Sequence, residues 1–324
     1  MRGQYIATRV GQTIITLFAV LVIMWLLFRL MPGDPAAMYI SGRLSPEDIV
    51  RIKKLWGLDA PLYVQFFKYV ANLFKGSFGI SFYYREPVGA LITPRLINTL
   101  ILMGPAMIMA IVIGAVLGSD LGWKRGSKRE RVGVSLSLFA RSFPVYLSGL
   151  IGLMLFSHLL GWFPLGGMRT IGRINSSWIG EFLDYTHHLL LPLAVAALYY
   201  MGDVVVIART SIMDIMGEEF LEFAKAKGLP DSKVRKIAMR NAIIPVITYS
   251  TIMIGFAFGG QVLLEVVFSW PGIGWLMVNS ITRQDYPVAQ ATFFIMAFVV
   301  IAANFIVDLL YGYLDPRISI DREE

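Results

Sequence analysis

The sequence predicts an all-α polytopic membrane protein with six transmembrane helices. Its composition is the first sign: 56% of the 324 residues are hydrophobic and 16% are charged, and the mean hydropathy is +0.64. A soluble domain of this size carries far more charge. Uncharged windows long enough to cross about 30 Å of hydrocarbon are the second. They cover 10–28, 96–119, 142–168, 241–264 and 286–307, and a further span, 187–208, is interrupted only by Asp203. The third is the placement of lysine and arginine, which concentrates on alternate inter-span segments as the positive-inside rule requires.

Six spans follow, at 10–31, 96–118, 135–160, 187–209, 243–265 and 287–310. The first is too long for a cleaved signal peptide, and no small-x-small cleavage site follows Arg29. With the N-terminus in the cytoplasm, the inside segments hold Arg2, Arg9, the cluster 124–131, the basic residues of 209–240, Arg317 and Arg322. The short outside segments hold Arg169, Arg173 and Arg283, while 32–95 is long enough to be nearly exempt. The net charge of +7 is therefore topological and does not point to nucleic acid. The chain divides into a leading segment with the first span (1–31), an external helical insert (32–95), a core of 96–310 that includes a cytoplasmic loop at 210–241, and a tail (311–324).

The external insert opens on Pro32-Gly33-Asp34-Pro35, a turn-forming cluster. Ser45 as N-cap, Pro46 at the first helical position and Glu47 and Asp48 behind it predict a helix to about Trp56, stopped by Gly57. A second short helix is expected over 65–74.

The cytoplasmic stretch 218–245, EEFLEFAKAKGLPDSKVRKIAMRNAIIP, is the most informative part of the chain. Glu218, Glu219 and Glu222 at the start of a helix and Lys225 and Lys227 at its end suit the helix dipole. Gly228 can adopt the left-handed C-cap, and Pro230 blocks continuation. Phe220, Phe223 and Ala224 are expected on one face as an apolar ridge. Asp231 or Ser232 would cap a second, basic helix through Lys233, Arg235, Lys236 and Arg240. A polar, capped insert between two apolar spans suits docking of a soluble partner.

Catalytic patterns are missing. His158, His187 and His188 have no metal-site spacing, and there is no nucleophile elbow, phosphate loop or dinucleotide fingerprint. Without cysteine the chain has no disulfide, thiol chemistry or thiolate metal site. Ionisable residues at membrane depth are Arg141, Asp203, Glu265 and Asp308, candidates for function or for helix-end pairing. Gly114-x-x-x-Gly118 and Gly255-x-x-x-Gly259 would permit close helix approach.

Four stretches, in order along nearly the whole chain, resemble one family. They are Arg9-Val10 with Met31-Pro32-Gly33-Asp34-Pro35; Leu55-Trp56-Gly57-Leu58-Asp59-Ala60-Pro61 with Gly76-Ser77-Phe78-Gly79-Ile80-Ser81; Ala224-Lys225-Ala226-Lys227-Gly228-Leu229 with Arg240-Asn241-Ala242-Ile243-Ile244-Pro245; and Val267-Phe268-Ser269-Trp270-Pro271-Gly272-Ile273-Gly274 with Asp285-Tyr286-Pro287-Val288 and Leu314-Asp315-Pro316-Arg317. The chain is similar to the transmembrane permease subunit of binding-protein-dependent ABC importers, in particular the B-type subunit of the dipeptide, oligopeptide and nickel group.

That resemblance implies a type I importer permease fold in a prokaryotic inner membrane, with both termini cytoplasmic and alternating access as mechanism. It implies a second homologous permease of the C-type, two ABC ATPase subunits that bind ATP and Mg, and an extracytoplasmic solute-binding protein. The chain itself would be no enzyme and hold no cofactor. Phe220, Glu222, Phe223, Ala224, Lys225 and Gly228 would then couple to the ATPase; Phe223 departs from the family's E-A-A-x-x-x-G pattern, which has alanine there. Pathway residues would come from the second to fifth helices, with Tyr146, Tyr199, Met253 and Gln261 as candidates. Peptide is the first choice of cargo, with nickel chelates and oligosaccharides as alternatives. A secondary transporter would need deep coupling charges and inverted repeats. An intramembrane enzyme would need a convergent acid pair, and Asp203 and Glu265 are expected at different depths.

Overall fold

The computed structural model describes residues 2–30, 60–172, 177–260 and 262–314. Among these the regular structure is helical, apart from one isolated antiparallel bridge between Ile80 and Pro87. The helices are α1 (Arg2–Leu30), α2 (Leu62–Phe74), α3 (Val88–Trp123), α4 (Lys128–Ser142), α5 (Val145–Gly152, continued by a π-helical turn, Leu153–Leu159), α6 (Trp178–Met216), α7 (Glu219–Ala226), α8 (Asp231–Gly260), α9 (Val262–Val267), α10 (Ile273–Thr282) and α11 (Tyr286–Leu314).

Five of these helices are long and apolar enough to cross a membrane, and six if α4 and α5 count as one bent span. The third expected span, 135–160, is that pair: its axis turns by 96°. Pro144 explains the break. The residue before a proline is pushed out of the helical region, and Phe143 is extended at φ −87° and ψ 138°. Proline within α3 (Pro94, Pro105), α6 (Pro192) and α8 (Pro245) leaves those helices unbroken. The fifth expected span also differs. Rather than starting at 243, it continues the expected basic helix without interruption from Asp231. Asp231 is the first helical residue, and the carbonyl of Pro230 accepts from Lys233 N (2.8 Å) and Val234 N (3.2 Å). Neither Asp231 nor Ser232 is thus the cap. The expected helix beyond Ser45 and the tail 315–324 lie outside the described residues.

The core is built on α3 against α6. Gly114, Gly118 and Gly122 share one face of α3 at a spacing of four, and side chains there have no room. A Cβ at Gly118 would lie 2.3 Å from the Val205 carbonyl oxygen, and one at Gly122 2.0 Å from Ile212 Cγ2. The backbones approach this closely because glycine removes the intervening atoms. Around that seam Leu102, Met103, Ala106 and Met107 of α3 pack with Leu191, Ala196, Tyr200 and Val204 of α6, and with Val246 and Met253 of α8. Gly255 serves the α8–α11 seam, where an added Cβ would lie 3.0 Å from Asn304 Oδ1 and 3.4 Å from Ala303 Cβ; Gly259 lies outside the described packing. By contrast α1 is peripheral. Leu21 is its buried residue, and it leans on α11 through Arg9–Asp308 (3.2 Å) and Phe28–Phe293, and on α2 through Trp25–Phe66.

Candidate functional site: the polar insert and the polar seams

The insert folds as a short helix laid on the start of α8. Leu221 and Ala224 of α7 are buried against Ile212 of α6 and Val234, Ala238 and Ala242 of α8. The C-terminus of α7 closes by a Schellman motif, with Gly228 N bonded to Lys225 O (2.9 Å) and Leu229 N to Ala224 O (3.3 Å). Gly228 takes φ +74°, the left-handed conformation expected of it. Leu229 joins the same apolar cluster as Ala224, supplying the hydrophobic contact that accompanies such a cap. Glu218 stands at the N-cap position without a side-chain capping bond, and Glu219 and Glu222 stand in the first turn.

The expected ridge is divided. Ala224 faces inward, so it anchors the helix and does not project. Phe220 and Phe223 are exposed, at 40% and 62%. Lys227 Nζ stands 4.4 Å from the centre of the Phe223 ring, a cation–π contact on the open face. An aromatic surface on a helix held from beneath is what a docking element needs: apolar area to bury, and no helix left to order on binding.

Ion pairs tie this insert to the bundle, and sequence reading missed their roles. Asp120 at the end of α3 holds Lys124 (3.1 Å), Arg129 (3.2 Å) and Arg235 of α8 (3.0 Å). Glu130 accepts from Arg209 Nε of α6 (2.7 Å) and from Gly126 N (2.6 Å), while Ser127 caps α4 by accepting from Glu130 N (3.1 Å). The ends of α3, α4, α6 and α8 are thus joined on one side of the molecule. The available signal was Ser127-x-x-Glu130, the capping-box spacing, beside a cluster of opposite charges.

The ionisable residues at membrane depth fall into separate clusters. Arg141 Nε of α4 meets Asp203 Oδ1 of α6 at 2.6 Å, and Tyr249 of α8 lies close enough to interact with Asp203. Glu265 is 1% exposed and accepts from Thr99 Oγ1 (2.6 Å) and Trp275 N (3.0 Å); Thr99 in turn accepts from Ile273 N (2.9 Å). The run from Ser269 to Gly274 wraps this carboxylate. Trp270 Nε1 donates to Asn98 O and Asn98 Nδ2 to Pro271 O, each at 2.9 Å, and a Cβ at Gly272 would lie 2.2 Å from Glu265 Oε1. Asp203 and Glu265 do not form an acid pair.

Two other stretches singled out in the sequence also meet. Asp285, 1% exposed, accepts from the Ser81 hydroxyl, Phe82 N (3.0 Å) and Tyr83 N (3.2 Å), pinning the turn before α3 to the start of α11. Arg283 stacks 3.9 Å over the Tyr83 ring. Of the pathway candidates, Tyr146 is exposed and Tyr199 half-buried, but Met253 is 4% exposed and belongs to the core. Its side chain fills the α3–α6–α8 junction, which withdraws it from any lining surface. Gln261 lies outside the described residues. Among the described residues no group of three histidine, aspartate or glutamate side chains could hold a metal ion.

Comparison with known proteins agrees over the whole length. Residues 110–320 match the family described as binding-protein-dependent transport system inner membrane component, and residues 3–103 match the N-terminal part of such membrane components. The chain is 37% identical to the di/tripeptide transport system permease protein DppB of Pseudomonas aeruginosa, over 98% of this chain and 99% of that protein. It is 36% identical to the oligopeptide transport system permease protein AppB of Bacillus subtilis, over 97% and 99%. With the glutathione transport system permease protein GsiC of Escherichia coli K12 the identity is 33%, over 97% and 98%.

Proposed function

The chain belongs to the family of binding-protein-dependent transport system inner membrane components, and from that membership we propose that it carries di- or oligopeptides inward as one of two unlike permeases. As an ABC importer permease it is a multi-pass inner membrane protein. Peptide cargo is supported by relatives named for di/tripeptide, oligopeptide and glutathione transport, each matched nearly end to end. In this reading the second permease is of the C-type, two ATPase subunits bind ATP and Mg, and a solute-binding protein delivers the cargo from outside. Both termini, 119–133 and 210–241 face the cytoplasm, while 32–95, 161–186 and 266–286 face outward.

The exposed Phe220–Phe223 face of α7 carries the coupling part of the proposal. When the ATPases close on nucleotide, they move this face. Leu221 and Ala224 transmit the movement to α8, and the Arg235–Asp120 and Arg209–Glu130 pairs pass it to α3, α4 and α6. The bundle then responds as packed bodies with two arrangements. Glu222 and Lys225 flank the aromatic face, and Gly228 fixes the end of the helix. Tyr146 and Tyr199 remain candidates for the pathway.

Purified chain in liposomes is the test. It should hydrolyse no ATP alone, and coexpressed ATPases should copurify with it and lose that association on Phe223→Asp. Hydrolysis without partner subunits would refute the assignment, and unchanged association of the variant would refute the docking face.

A further inference from the structure

The α4–α5 break and the Arg141–Asp203 pair lie together at membrane depth. Arg141 is 13 residues along α4 from Lys128, and Asp203 is 13 residues back along α6 from Met216, each about 20 Å at 1.5 Å per residue. The hydrocarbon layer is about 30 Å thick, so both sit well within it even if two turns of each helix project. Phe143 and Pro144 are non-helical there, and Arg141, Ser142 and Pro144 are exposed. Irregular backbone at such depth persists only inside protein or against a water-filled cavity, and an exposed arginine facing lipid tails is costly. Two independent features, one of backbone and one of charge, therefore mark the same surface as turned away from lipid, toward a partner subunit or a water-filled pathway.

The chemistry of that surface is specific. Arg141 from α4, Asp203 from α6 and Tyr249 from α8 converge on one carboxylate, with Tyr199 close enough to interact with Tyr249. Arg141 is 51% exposed, whereas Asp203 is 15% exposed. The pair is neutral as a whole. It can open to place a cation beside an incoming carboxylate and an anion beside an incoming ammonium group, and the site stays neutral before and after. A zwitterion could thus pass the low-dielectric midsection without either charge being left unpaired.

We propose that Arg141, Asp203 and Tyr249 form a station in the translocation pathway that receives the carboxylate and ammonium termini of a zwitterionic peptide. This rests on the peptide reading above. Arg141 binds the carboxylate; Asp203, with Tyr249 beside it, binds the ammonium group.

The test uses the assembled complex in liposomes, with its binding protein and with dialanine as probe. Because the chain has no cysteine, Ser142→Cys supplies a single thiol at the break. That thiol should react with a membrane-impermeant, water-soluble methanethiosulfonate in at least one stage of the ATP cycle. Arg141→Gln should lower kcat for dialanine uptake about tenfold or more, the effect of losing one charge-assisted hydrogen bond. KM should hold, since capture belongs to the binding protein, and the ATPases should copurify and hydrolyse ATP as in the wild type. A thiol inert throughout the cycle places the break against lipid or a partner helix and overturns the station. So does uptake within about twofold of wild type in Arg141→Gln, or uptake lost together with the bound ATPases, which makes the pair a structural strut. If the wild-type complex moves another cargo but no dialanine, the peptide reading falls and the station with it.

Discussion

Gly228→Val isolates the conformational role of one residue at the end of the coupling helix. A Cβ at Gly228 would meet no heavy atom within 4 Å, so the substitution adds no clash. What it adds is strain: at φ +74° a side chain approaches the following carbonyl, at about 1–2 kcal/mol, with valine at the upper end because it is β-branched. Such a cost shifts the ratio of capped to frayed helix about 5- to 30-fold. The Leu229 N–Ala224 O and Gly228 N–Lys225 O bonds break together, and Leu229 leaves the cluster that holds Leu221 and Ala224. Phe220 and Phe223 then lose their fixed position. In liposomes containing the whole importer, cargo uptake should fall sharply while membrane insertion and total expression hold. Gly228→Asn is the control, since asparagine tolerates the left-handed region, and it should keep most of the uptake. Equal loss in both variants, or normal transport with ATPases bound in Gly228→Val, would refute the cap argument.

Gly118→Leu should leave little folded protein in detergent, because its first side-chain atom meets the Val205 backbone, and a thermal melt should show the loss beyond the ~1–3 kcal/mol of ordinary overpacking. Asp285→Ala removes the acceptor for Ser81, Phe82 N and Tyr83 N, so trypsin should cut faster after exposed Arg85 at a cost of about 1–3 kcal/mol for the groups left unpaired. Ser127→Cys should resist impermeant maleimide added outside intact cells and react in inside-out vesicles, and external labelling would reverse the proposed topology.

Composition, apolar run length and basic-residue placement determined the fold class of this chain. These are properties of segments, and a lipid solvent allows a segment that cannot satisfy its backbone otherwise only a helix. Local chemistry also made the insert legible: Gly228 and the Glu219 and Lys225 ends are set by neighbours in sequence, and the left-handed cap formed where expected. The tertiary structure decided what depends on partners distant in the chain. Ala224 satisfies the same helical period as Phe220 and Phe223, yet the position of α8 turns it inward. Met253 reads as one more apolar residue until α3 and α6 close around it. Pro144 breaks its helix while Pro105, Pro192 and Pro245 do not, a difference that the residue type alone does not announce. The pairing of Arg141 with Asp203, and of Asp120 with Arg235, joins residues 62 and 115 positions apart; charge alone names the candidates, and only helix packing selects the partner.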